Sequence, residues 1–405
     1  MSGAAAGATN AAAEARRLAH ALAAASDQAL TRAVAVFDRL AERREADQVL
    51  DAARPRLRRL RPPRPITLPR LLFLPLDGVI EDAKGWKRSA GSLPRSALPP
   101  IATMLREAIA PEAAEIEAAI ADATFSDLAA VGRAGGRLWQ AAAEAAPRLE
   151  PPTAWGETGL RTMDFRNAIT LCSGVWRHAA PLWAALAEAR EGPPETLVRA
   201  AMEDAAAEEA IIREAMLATL LMKAARPGTV ANAAARALPG PAIEAALERW
   251  MEESKPDFAV GDAQGAARLA EDFVRAIEDL ETSGALRHPE RRQRLQALRS
   301  EVSEACRETY AATIARSVIE PLKAQGTRLS DAAASAMEEA ARSLRRLDLA
   351  GRSLGGGIAY DSVLRRVIDA FAELHTAAEA NPADLARLTE ILAGPEAAMK
   401  LLDPG

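Results

Sequence analysis

Residues 160–190 read LRTMDFRNAITLCSGVWRHAAPLWAALAEAR, and their spacing decides the fold class. Phe165, Ile169, Cys172, Trp176, Ala179, Trp183 and Leu186 recur at alternating steps of four and three, which puts them on one face of a helix. Pro181 falls inside the stretch and cannot donate to the carbonyl of Arg177, so a kink or break is expected near residues 178–181. The same grammar runs through the chain. Its 405 residues include 97 Ala, and Ala, Leu, Glu and Arg are all strong helix formers. Period-two alternation rich in β-branched residues is almost absent. Aromatic residues make up 4%, so the core is filled mainly by aliphatic side chains on thin, closely packed helices. The expectation is an all-α protein: an irregular multi-helix bundle, or two packed bundles, with a long Pro/Arg-rich irregular connector.

Punctuation by Pro and Gly suggests four parts: an N-terminal helical pair at 1–53, the connector at 54–100, a central helical domain at 101–260 and a C-terminal bundle at 261–405. In the pair, Leu30, Val34, Phe37, Ala41, Val49 and Leu50 form the inward stripe of a helix over 27–53. In the central part, helices are expected over 101–122 with a break at Pro111, 124–146, 160–190, one long helix over 194–225, then 229–238 and 241–253. The last third predicts helices over 263–283, 289–325 with Pro321 bending the end, 330–349, 358–380, 383–393 and 395–402. No fixed-period repeat supports a solenoid.

The connector is crowded with Pro, which removes backbone donors and restrains the preceding residue. Its basic part holds Arg54, Arg56, Arg58, Arg59, Arg61, Arg64 and Arg70 with no acid among them. Clustered guanidinium groups bind phosphates or acidic protein surfaces, and Pro stiffening lowers the entropy cost of presenting them. Equally, the segment can be a solvated linker or a clamp on the acidic helices of its own chain. Leu71-Leu72-Phe73-Leu74-Pro75-Leu76 is too apolar to be left in water and is expected to lie as a strap against the helical body. With Leu72 and Phe73 it is offered, together with the Arg cluster, as the partner-binding element. Deleting residues 54–80 is then expected to abolish partner capture while the other helices stay folded.

A second candidate lies in the central part. Four of the six Trp (139, 155, 176 and 183) fall within 45 residues, beside Asp164, Arg166, Arg177 and His178. Such clustering lines a ligand pocket, anchors an interface, or simply fills a core. The candidate pocket is Asp164, Arg166, Trp176, Arg177 and His178. Two Gly-rich runs, Gly132-Arg-Ala-Gly-Gly136 and Gly351-Arg-Ser-Leu-Gly-Gly-Gly357, lack the Lys-Ser/Thr pair of a phosphate loop and follow no strand. Flexible helix connections are expected at both.

Several chemistries lose their residues. The four His complete neither an HExxH nor a Glu-x-x-His pair, so zinc and di-iron sites lack ligands. No G-x-S-x-G elbow or Asp-rich prenyl-transfer motif occurs, and adjacent acids such as Glu203-Asp204 and Glu208-Glu209 suit a solvated face. Cys172 and Cys306 form no framework, which suits a reducing compartment. No cationic leader precedes the N-terminal Ala-rich stretch, and no apolar run reaches the roughly 20 residues of a membrane span. Residues 1–110 carry about +7 and residues 111–405 about −12 of the net −5, which disfavours nucleic acid as a partner of the larger part. No catalytic residue, metal or cofactor is expected. The reading is a cytoplasmic, non-enzymatic helical adaptor or regulatory scaffold with a protein partner. The alternatives are an anion- or nucleic-acid-binding regulator using Arg54–Arg70, and a small-ligand binder or enzyme near Trp176–His178.

Overall fold

A computed structural model describes residues 17–22, 25–37, 49–50, 53, 57, 65–81, 91–121, 123–189, 192–258, 262–284, 286, 288–326 and 329–402. They are almost entirely helical, as the spacing predicts. The only strands among them are the parallel pair β1 (Ile80–Glu81) and β2 (Leu93–Pro94), in register Ile80 to Leu93. The chain divides into two compact units. Within its described residues, the first takes Met1–Asp51, Arg61–Ser254 and Asp279–Leu286, and the second takes Ala52–Leu60, Lys255–Glu278 and Arg287–Gly405.

The first unit contains α1 (Asp27–Phe37), α2 (Leu68–Phe73), α3 (Leu98–Ala108), α4 (Ala110–Ile120), α5 (Leu128–Ala145), α6 (Thr162–Arg177), α7 (Ala179–Ala187), α8 (Glu195–Asp204), α9 (Ala210–Lys223), α10 (Pro227–Ala234) and α11 (Gly240–Glu253). The break at Pro111 is present: Ile109, at φ −116° and ψ 35°, separates α3 from α4. The break before Pro181 is also present. His178 leaves helical geometry at φ −108° and ψ 11°, and Pro181 becomes the third residue of α7, where no intrahelical donor is required. Leu30, Val34, Val49 and Leu50 are buried as expected, whereas Ala41 and residues 38–48 lie outside the described residues.

Two expectations are corrected here. The stretch expected to be irregular is helical over residues 68–79: α2 is followed by a 3-10 helix at Leu74–Val79. Pro69 and Pro75 each fall in a first turn, where the missing N–H costs nothing, so Pro starts these helices rather than preventing them. The predicted long helix over 194–225 is two helices, α8 and α9, separated by a turn at residues 205–209. No Pro or Gly marks that turn.

The 68–79 segment runs through the core of the first unit. Leu71, Leu72 and Leu76 are fully buried, and Phe73 is 6% exposed. Partnering Leu72 and Phe73 with another protein is therefore corrected: their side chains are inside the unit. Trp139 Nε1 donates to the Leu71 carbonyl and Trp176 Nε1 to the Leu72 carbonyl, both at 2.8 Å. The Phe73 ring meets the Trp176 ring at 6.1 Å between centroids. Further along, the Gly78 N–H donates to Thr219 Oγ1 of α9 at 3.3 Å, and Asp77 pairs with Lys223. The segment is thus bonded on α5, α6 and α9 at once.

In the second unit the described helices are α12 (Ala263–Thr282, up to Glu278), α13 (Pro289–Ile314), α14 (Glu320–Gln325), α15 (Asp331–Leu354), α16 (Gly357–Thr376), α17 (Pro382–Ala393) and α18 (Pro395–Leu402). α13 packs on α15, α15 on α17, and α17 on both α16 and α18. Pro321 acts where the sequence places it: Ala315–Ile319 widens into a π-turn, with the Glu320 N–H bonded to the Ala315 carbonyl five residues back. Such a wide turn accommodates a helix-interior proline ring. Gly351 is not in a connection, because α15 runs on to Leu354; only Gly355 and Gly356, at φ 136° and 73°, make the turn.

Candidate functional site

The structure opens a recess of about 350 Å³ within the first unit, lined by Gly136, Trp139, Gln140, Ala143 and Glu144 of α5, Trp176 and Arg177 of α6, and Ala180 of α7. Two indoles lie behind it. Trp139 and Trp176 are each 1% exposed, and both indole N–H groups are spent on the strap carbonyls. The rings are therefore fixed, and almost none of their surface is accessible. Gly136, Ala143 and Ala180 keep the walls low, while Gln140, Glu144 and Arg177 stand at the rim.

Helical periodicity explains why α5 supplies five of these residues. Gly136, Gln140, Ala143 and Glu144 sit at i, i+4, i+7 and i+8, one face of the helix, opposite the buried Val131, Leu138 and Ala142. The run Gly132–Gly136, expected to be a flexible connection, is instead inside α5, and its glycines differ in cause. A Cβ on Gly132 would meet the Trp183 indole nitrogen at 3.1 Å, and one on Gly135 would meet the Trp139 ring at 2.5 Å. At Gly136 nothing lies within 4 Å. A glycine inside a helix costs about 0.5–1 kcal/mol relative to alanine, and packing does not require this one. Gly136→Ala is accordingly expected to raise the stability of the first unit by about that amount in urea denaturation. A fall in midpoint would show a packing constraint at this position.

Beside the recess, the break at His178 brings Arg177 and His178 to Asp204 and Glu208 at the α8–α9 turn. His178 Nδ1 lies 2.6 Å from Asp204 Oδ2, and its Nε2 lies 3.0 Å from Glu208 Oε1. Arg177 donates to Glu208 Oε2 at 3.0 Å. A ring protonated on both nitrogens donates to both carboxylates; a neutral ring donates to one. Asp204 ends α8 and Glu208 precedes α9, so this cluster takes up the turn that interrupts the expected 194–225 helix.

Of the residues predicted for the pocket, Trp176 and Arg177 line the recess and His178 stands next to it. Asp164 does not. It is 7% exposed and caps α6, accepting from the Arg161 backbone N–H at 2.9 Å. Arg166 is exposed on the surface of α6 and is not part of the lining. The other two Trp are structural: Trp155 Nε1 donates to the Arg161 carbonyl at 3.0 Å and its ring meets Phe165 edge-on, while half-buried Trp183 leans on Trp139. Gln140 and Glu144 were not singled out by sequence reasoning, and Gly136 entered only as part of an expected flexible connection. Their signal is a polar, small-residue face on a helix whose other face is a regular apolar stripe.

Arg54, Arg56, Arg58, Arg59, Arg61 and Arg64 lie outside the described residues. Arg70 is described, and its guanidinium folds back to the Pro65 carbonyl at 3.5 Å. Among the described residues no group of three or more His, Cys, Asp or Glu is placed to hold a metal ion, and no helix is long and apolar enough to cross a membrane. Both thiols are buried, and desolvation pushes the Cys172 thiol well above its ordinary range and the Cys306 thiol up to about 12. Comparison with protein-family models, curated proteins and solved structures finds no match for the chain.

Proposed function

We propose that the chain is a cytoplasmic helical adaptor that acts by binding, and that it holds a protein partner at the recess between α5 and α6 rather than through the strap. The observation that supports this reading is the recess itself: two indoles locked by hydrogen bonds to a buried segment, under walls kept low by a glycine that packing does not require. A rigid lining spares a partner the entropy cost of ordering the site. A helix-interior glycine retained at a cost in stability fits a site where access matters more than propensity.

The test fills the recess without disturbing the fold. Gly136→Leu places a side chain into open space and is expected to leave the unfolding midpoint within about 0.5 kcal/mol of wild type or above it, because leucine is the better helix former. Proteins recovered from the host with the wild-type chain are expected to be lost with Gly136→Leu. An identical set recovered with both chains rejects the recess as the contact site.

A further inference from the structure

We propose that His178 is a proton-operated clasp on the α8–α9 turn: the ring protonated on both nitrogens ties Asp204 to Glu208, and loss of one proton releases one of the two carboxylates. The device is independent of what occupies the recess. Its basis is the pair of distances at the ring, 2.6 Å from Nδ1 to Asp204 Oδ2 and 3.0 Å from Nε2 to Glu208 Oε1. An ionised carboxylate only accepts, so each ring nitrogen that bonds to one must carry a proton, and two such bonds need the imidazolium. A neutral ring sets a bare nitrogen against a carboxylate oxygen, two acceptors with no proton between them. The His178 and Glu208 side chains are each 15% exposed, so that contact is largely shielded from solvent.

The turn has reason to open without the clasp. Glu203-Asp204-Ala-Ala-Ala-Glu208-Glu209 carries four carboxylates on seven residues, and the alanines and glutamates after Asp204 are strong helix formers held out of a helix. Two permanent cations meet these acids: Arg177 donates to Glu208 Oε2 at 3.0 Å, and Arg199 lies 3.6 Å from Glu203. His178 is the third, and unlike a guanidinium it loses its charge near neutral pH. The elements packed around it bring other charges, among them Arg137 and Glu144 on α5, Glu209, Arg213 and Glu214 at the start of α9, and Asp77 of the strap, which is paired with Lys223. Among the described residues, only Asp204 and Glu208 bond to the ring. Raising the pH therefore opens the turn, because the proton is what makes the second bond.

Between about pH 5.5 and about pH 8.5 ordinary carboxylates stay ionised while histidine changes charge. Hydrogen exchange of the full chain, read by mass spectrometry on a peptide spanning residues 203–210 and corrected for the intrinsic pH dependence of exchange, follows the Ala206 and Glu208 amides, which bond to the Glu203 and Ala205 carbonyls. Opening is expected to be about fivefold or more as frequent at the upper pH as at the lower, with the same midpoint as the His178 ring followed by nitrogen NMR. In His178→Gln, neutral throughout, the pH effect is expected to vanish. Asp204 is half exposed at the end of α8, so Asp204→Asn should leave the unit folded and cut the effect to less than about twofold. A wild-type turn whose opening does not change with pH, a midpoint that differs from the ring's, or an undiminished effect in Asp204→Asn overturns the clasp. Should His178→Gln fail to fold, the wild-type curves and Asp204→Asn decide the matter.

Discussion

Gly78→Ala is expected to destabilise the first unit by about 3–5 kcal/mol, above the roughly 1–3 kcal/mol usual for an overpacked core because the clash is with backbone. A Cβ at this position would lie 2.4 Å from the Cα and 2.6 Å from the N of Thr219. Both are backbone atoms of α9, so no side chain can turn aside. The backbone of Gly78 is not in the left-handed region, and alanine meets no conformational penalty there. Close approach alone is being tested. To separate the segment from α9, the Gly78 N–H must give up Thr219 Oγ1, and the movement pulls on Leu71 and Leu72, whose carbonyls hold the two buried indoles. Leu71, Leu72 and Leu76 each contribute about 1.5–3 kcal/mol by burial, a sum comparable with the whole stability of many domains. For the same reason, deleting residues 54–80 is expected to unfold the first unit, not to leave it intact. The readout is thiol labelling at Cys172, fully buried in the same unit and located by mass spectrometry. At about 1.4 kcal/mol per decade, opening should become several hundred times more frequent. An increase under tenfold would show that the two backbones can part here at little cost.

That central segment also marks how far the sequence could be read. The helical class, the breaks at Pro111 and Pro181 and the disturbance at Pro321 follow from local chemistry, because a missing N–H acts on its own turn whatever surrounds it. The apolar run Leu71–Leu76 is equally legible as something that must be covered. Its helical conformation is not, since Pro at a first helical turn and Pro in a loop look alike until the turn's position is known. The turn at 205–209 is beyond local reading altogether: Ala205-Ala-Ala-Glu-Glu209 has high helix propensity, and what bends it is the pairing of Asp204 and Glu208 with side chains about thirty residues earlier. The candidate site divides in the same way. Trp176 and Arg177 stand out by composition, and the recess lies over them. Glu144 and Gln140 look like any solvated pair on an Ala-rich helix, and only the packing of α5 against α6 gives them an aromatic neighbour. Glycine is the hardest to interpret, because one letter covers opposite causes: Gly135 avoids a ring, whereas Gly136 faces open space.

Gly351→Ala in the second unit is the sharpest case of a glycine whose cause lies in packing. In the interior of α15 alanine should add about 1 kcal/mol of helix propensity. The expected result is the reverse, a loss of about 2–4 kcal/mol. The new Cβ would stand 1.9 Å from Tyr360 Oη, 2.5 Å from its Cζ and 3.1 Å from Cys306 Cβ. Tyr360 is 1% exposed and its hydroxyl donates to the Ser303 carbonyl at 2.7 Å, so swinging the ring away leaves a buried hydroxyl unpaired, a cost of about 1–3 kcal/mol. Nearby side chains resist the movement. Ser303 Oγ is within hydrogen-bonding distance of the Gly351 and Gly355 carbonyls, at 2.9 and 2.8 Å, and the Arg352 guanidinium lies 5.5 Å from the Tyr360 ring centre while bonding to the buried Asp348. A double-mutant cycle isolates the conflict. Tyr360→Phe alone should cost about 1–2 kcal/mol for the lost hydrogen bond, yet in the Gly351→Ala background it removes the 1.9 Å contact, leaving the 2.5 Å approach to Cζ, and should cost less than it does alone. Labelling of Cys306 in the same unit, whose thiol burial pushes up to about 12, follows the opening of each variant. If the two losses simply add, Gly351 and the Tyr360 hydroxyl do not compete for the same space, and the interlock of α15 with α16 is not what makes this position glycine.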